Sequence, residues 1–166
     1  MVCVVLMDQI GNGGHVSNYE IALSLGVRHP DVDPAMITRE LCMQPGHTWR
    51  NGQERLDESG AQLGGMHKGS YWFCRLSPHP MVSGDRAVVE GELTRVLHML
   101  RKSIVFLQGL HYTGGATELC VTILALGDFR IELLPEEAAL LGRLGISLTV
   151  EIKPFPIATT RTAVTQ

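Results

Sequence analysis

From Tyr19 to Val27 the chain alternates. Ile21, Leu23, Leu25 and Val27 fall on one side and Ala22, Ser24 and Gly26 on the other, a period of two that predicts a half-buried strand. In DPAMITRELC the pattern changes: Asp33 can cap free amides, Pro34 suits the first helical position, and Ile37 and Leu41 lie one turn apart, so a short helix is expected. Residues 43–68 are rich in Gly, Gln and charge, keep neither period, and read as a long loop. GSYWFCRL, Gly69 to Leu76, is aromatic and β-prone, and the prolines and glycine of SPHPMVSGD end it. A second strand is expected there.

Between Val88 and Leu110 the residues Val89, Leu93, Val96, Leu97, Leu100, Ile104 and Leu107 recur at three and four, which predicts one long amphipathic helix ending near Gly109. Its other face carries Glu92, Arg95, Arg101 and Lys102, a solvated surface. Glu118 to Leu126 is nearly all apolar, as in a strand buried on both faces, and Gly127-Asp128 reads as a tight turn into Phe129, Ile131 and Leu133. LLPEEAALLGRLG has Pro135 in the first turn, acids at the positive helix end and Gly145 just beyond the last turn, so a third helix follows. Ile146, Leu148, Val150 and Ile152 then alternate with Ser147, Thr149, Glu151 and Lys153 as a strand with one wet face.

The order β-α-β-α-β-β-α-β with amphipathic helices calls for an α+β two-layer sandwich. Its sheet is expected to be mixed or mostly antiparallel, of four to five strands, with helices mainly on one face. Residues 19–154 form the single domain in this reading, with 1–18 an N-terminal arm or extra strand and 155–166 a flexible tail. The apolar start MVCVVLMDQI has no Lys or Arg before Arg28, so it does not read as a secretory leader, and it is too short to span a bilayer.

Composition narrows the classes. With 166 residues, 45% hydrophobic and 19% charged, the chain can bury about 70% of its unfolded surface without staples. A formal charge of -3 gives no positive field for nucleic acid, and no membrane role is expected. Cys3, Cys42, Cys74 and Cys120 are far apart and lack a CxxC pair, which points to a reducing, cytoplasmic setting and away from a disulfide framework or zinc site. Cys42 is expected to face the core at its helix end.

Catalytic patterns are weak. GNGGH, residues 11–15, has no Lys and precedes a strand, unlike a phosphate loop. The seven histidines show no i, i+4 pair, so no metal or cofactor is expected. Cys42 with His47 is the nearest nucleophile–base pair, and nothing marks the thiol as activated. Asp31 with Asp33, and Asp57 with Glu58, fit capping and solvation better than acid–base work.

The run DVDPAMITRELCMQP, Trp49 and Gly52 in HTWRNG, the SYWFCRL strand, the long helix and the closing LLGRLGISLTVEIKP together resemble the family known as domain of unknown function 4279, from Tyr19 to Pro154. The Tyr that members often carry after the last strand's acidic residue has no counterpart here, where Glu151, Ile152 and Lys153 stand. The resemblance implies a small bacterial cytoplasmic domain and assigns no substrate, cofactor or catalytic residue. By analogy with other small α+β proteins of bacteria it lends weight to an immunity- or adaptor-like role.

The 43–68 segment is where function is expected, since loops of that length inside compact domains are uncommon. Trp49 and Arg50 there, with His47, Arg55 and His67 in the same segment and Trp72 on the next strand, are residue types favoured at binding hot spots, while Trp49 equally fits plain packing of the loop onto the sheet, with Pro45 and Gly52 shaping the turn. The leading expectation is a non-catalytic module that binds a partner protein through His47, Trp49, Arg50 and Trp72. The alternative is a small enzyme or small-ligand binder with its site under the 43–68 loop. A third reading is self-association, as a homo-oligomer, through the N-terminal arm or an open sheet edge.

Overall fold

The computed structural model describes residues 20–77, 81–82, 86–125 and 131–154. Strand β1 (Glu20–His29) carries Ile21, Leu23, Leu25 and Val27 into the core, as its alternation requires. Helix α1 (Pro34–Leu41) starts where Asp33 accepts the Ala35 amide at 3.0 Å and buries Ile37 and Leu41. Strand β2 (His47–Trp49), the ribbon β3 (Glu54–Leu56) and β4 (Gln62–Met66), and strand β5 (Ser70–Arg75) follow. After β6 (Met81–Val82) come α2 (Arg86–Arg101) and α3 (Ile104–Tyr112), then β7 (Ala116–Ala125), α4 (Pro135–Leu144) and β8 (Ile146–Pro154).

The main sheet has the order β2-β5-β1-β7-β8, and β6 pairs with the first two residues of β1. Every pairing in it is antiparallel except β7 with β8, which run parallel because α4 lies in the connection between them. Leu93, Val96, Leu97, Leu100, Leu107 and Leu110 from α2 and α3, with Leu141 and Leu144 from α4, share one core with the inward residues of β1, β5, β7 and β8. The fold is an α+β sandwich whose helices cover one face of a mixed sheet. Among the described residues no helix is long and apolar enough to cross a membrane.

Five expectations are corrected. The 43–68 segment is not structureless: it holds β2, β3 and β4, whose residues are almost all exposed, so no buried face imprinted a period on the sequence. The helix expected from Val88 to Leu110 breaks at Lys102–Ser103, where the Ser103 hydroxyl donates to the Glu40 carbonyl at 3.1 Å. Apolar spacing passes through the break unchanged, so periodicity could not reveal it.

Strand β7 is buried on one face only. Thr117, Leu119, Val121 and Ile123 are buried, while Glu118, Cys120 and Thr122 are half-buried on the side without helices. The expected hairpin after it is not formed on the described side: Ile131 to Leu134 has no strand, and Ile131 instead enters the core ahead of α4. The proposed turn at Gly127-Asp128 lies outside the described residues, as do 1–18 and 155–166. Cys42 is exposed, not core-facing, because it closes α1 in a left-handed conformation with φ 54°.

Candidate functional site

The face of the sheet opposite the helices carries the side chains that alternate with the core. In β1 these are Ala22, Ser24, Gly26 and Arg28, in β5 Tyr71, Phe73 and Arg75, and in β7 Glu118, Cys120 and Thr122. Strand β2 adds His47 opposite Phe73 and Trp49 opposite Tyr71. A tight turn returns the chain to this face: the Gln53 amide donates to the Arg50 carbonyl at 3.1 Å, and the Gly52 amide to the His67 carbonyl at 2.8 Å. Gly52 adopts φ 76°, which a glycine tolerates without strain. His67 is thereby set beside Trp49.

These placements build one row across the sheet. Trp49 stacks on His67 with ring centroids 4.5 Å apart and on Tyr71 at 4.3 Å. The Arg28 guanidinium lies 5.6 Å from the centre of the Tyr71 ring, a cation–π distance. Arg28 reaches Glu118 at 3.4 Å through Nη1, and Glu118 in turn accepts the Thr149 hydroxyl. The row therefore crosses β2, β5, β1, β7 and β8. Burial raises the Tyr71 phenol above its ordinary value, with Arg28 pulling the other way.

Beside the row a cleft of about 430 Å³ is lined by Trp49, Tyr71, Pro30 and Gly114, with Arg28 and Lys68 among its other lining residues. His29 also lines it but is held by structure. Its Nδ1 accepts the Asp31 and Val32 amides at 3.0 and 2.9 Å, which leaves the proton on Nε2, 2.8 Å from the Thr113 hydroxyl. Such a ring cannot take a proton from Thr113 as a general base would. Thr113 is engaged as well, donating to carbonyls at the end of α3.

The expected site residues separate. His47 and Trp49 lie on the open face, His47 6.1 Å from Phe73. Arg50 stands at its edge in an ion pair with Asp33, the α1 cap. Trp72 takes no part in this surface: it is 0% exposed on the core side, and its indole N–H donates to the Thr38 hydroxyl at 3.0 Å. The alternation that puts Trp49 out puts Trp72 in. Sequence reasoning passed over Arg28, Lys68, Tyr71 and Glu118 as site residues, although SYWFCR read at period two already places Tyr71 and Phe73 opposite Trp72.

Other features are less organised. A groove of about 460 Å³ between α2 and α4 mixes Arg101 and Arg143 with Glu136 and Glu137. Glu137 is spent on structure, accepting the Thr94 hydroxyl at 2.6 Å and the Leu134 amide at 3.1 Å. Cys74 is buried, which pushes its thiol up and away from the reactive thiolate. Among the described residues no group of three or more His, Cys, Asp or Glu is placed to hold a metal ion.

A mixed sheet with one face under helices and the other carrying an aromatic–cationic row defines a one-sided α+β sandwich. The chain belongs to the family described as "Domain of unknown function (DUF4279)", whose model matches residues 18–154. No curated protein and no solved structure matches it.

Proposed function

We propose that this chain is a non-catalytic binding module that recognises a partner protein through the open face of its sheet. The observation that carries the reading is the row from His67 through Trp49 and Tyr71 to Arg28 and Glu118, laid across a face that the helices leave uncovered. Aromatic and guanidinium groups held rigid by neighbours make good binding anchors, because little side-chain entropy remains to be lost on association. The engagement of His29 and the burial of Cys74 favour binding over catalysis.

An adaptor- or immunity-like role in a bacterial cytoplasm completes the proposal, and the free thiols of Cys42, Cys74 and Cys120 suit such a compartment. Capture of a partner by the tagged chain, repeated with purified components, tests it. Trp49→Ala and Tyr71→Ala should lose the partner, while Tyr112→Ala, at the exposed end of α3, should keep it. Retention by the first two at unchanged melting temperature would refute the proposed face. The second reading, a small-ligand binder, is favoured by the cleft volume, which falls in the range of ligand pockets.

A further inference from the structure

We infer that the cleft beside Trp49 is a carboxylate site, taking a group with one carboxylate on an aromatic or apolar body; this rests on the binding reading of the same face and names its chemistry. Trp49, Tyr71 and Pro30 give the lining its apolar surface. Among the described residues of the lining, the ionised groups Arg28 and Lys68 are both cationic and no acidic side chain takes part. Among the described residues Lys68 has no ion pair, and Arg28 spends only Nη1 on Glu118, at 3.4 Å. An apolar body with a single anionic end satisfies such a lining, because Lys68 gains a charge-assisted hydrogen bond and Arg28 a second one beside Glu118.

The backbone around the cleft is closely packed at two glycines. A Cβ on Gly69 would stand 3.2 Å from the His29 carbonyl oxygen, and one on Gly115, behind the lining, 2.7 Å from both the His29 ring and the Leu110 carbonyl oxygen. A larger residue at Gly115 would force the His29 ring or the Leu110 carbonyl to shift. The lining comes from strand ends and turns: Arg28 to Pro30, Lys68 to Tyr71, Gly114 and Ala116, with Trp49. It contains no helix N-terminus of the kind that collects a phosphate dianion, which favours the singly charged carboxylate.

Two sources carry this chemistry, a free small acid and the C-terminal carboxylate of a partner chain. Calorimetric titration of the full chain with N-acetyl-phenylalanine, its amide, Gly-Gly-Phe and phenyl phosphate separates them. The acid should bind at least about tenfold more tightly than the amide, a difference of about 1.4 kcal/mol. Lys68→Gln, an exposed change that disturbs no contact of the row, should remove most of that preference with the melting temperature unchanged. Tighter binding of Gly-Gly-Phe than of the acetylated residue assigns the site to a chain end, and the reverse order to a small acid.

Equal affinity for acid and amide, tighter binding of phenyl phosphate, or indifference to Lys68→Gln would overturn the inference. Should the acid fail while Trp49→Ala still abolishes partner capture, the cleft chemistry falls and the binding module stands. Should the acid bind while capture survives Trp49→Ala, the module reading falls and the cleft stands as a small-acid site.

Discussion

Trp49 and Tyr71 are direct cross-strand partners on β2 and β5, and their rings stack at 4.3 Å on the open face of the sheet. This contact fastens the three-residue edge strand β2 to the sheet. A double-mutant cycle of Trp49→Ala and Tyr71→Ala, read by urea unfolding, should give a coupling of about 0.5–1.5 kcal/mol, the usual worth of an aromatic pair beyond its buried area. Additive effects would mean that the stack does no energetic work in solution.

Trp72, one residue along, has the opposite role. Its ring fills the core between β5 and α1 and is anchored by the hydrogen bond to Thr38. Trp72→Ala should destabilise the fold by about 3–5 kcal/mol, while Trp49→Ala, on the half-buried side, costs clearly less. Chemical denaturation of the two variants side by side checks the assignment, and equal losses would contradict it.

The Arg28–Glu118 pair tunes Tyr71 more than it stabilises the chain. Arg28 is 68% exposed in its side chain, so Glu118→Gln should change stability by less than about 1 kcal/mol. Arg28→Gln, in contrast, removes the one group that lowers the Tyr71 phenol and should raise its pKa further, as read by ultraviolet titration. Because the folded value is raised, the stability tied to this phenol is fully present below the unfolded pKa and is lost as pH rises through the folded one. A phenol titrating at or below its ordinary value would refute the burial of this face.

Asp57 supplies the acid-side counterpart. Its carboxylate takes the Ser59 hydroxyl at 2.6 Å and the Ser59 and Ala61 amides at 2.8 and 2.9 Å, and these bonds, the Ser59 hydroxyl foremost, hold it below the ordinary carboxylate value. A depressed folded pKa means that its contribution is present above the unfolded value and is lost as pH falls through the folded one. The turn joining β3 to β4 should therefore loosen only at strongly acid pH, seen as amide shifts of Ser59 and Ala61 that follow the Asp57 carboxyl carbon. Asp57→Asn should loosen it at neutral pH.

Much of this architecture was legible from the chain. The alternation of β1 and β8 and the caps Asp33 and Gly145 declare themselves, because each is a local consequence of residue type. What stayed hidden depends on partners distant in sequence. Ser103 breaks the long helix by reaching Glu40, 63 residues away, and the 47–66 strands pair without burying a periodic face. The apolar β7 run looked doubly buried because Cys120 and Leu124 continue its apolar character onto the open face. At the site, Trp49 was visible as an aromatic in a polar segment, whereas Arg28 and Glu118 acquire meaning only when β1 and β7 are set side by side.

Hydroxyl-radical footprinting of the chain free and in complex with its captured partner tests the central claim most directly, because Trp49, His67, Tyr71 and Phe73 are reactive reporters of the open face. Tyr112, 84% exposed at the end of α3, serves as the reporter away from it. The expected result is protection of Trp49 and Tyr71 with Tyr112 unchanged. Protection of Tyr112 with full reactivity at Trp49 and Tyr71 would contradict the account and move the binding surface away from the open face.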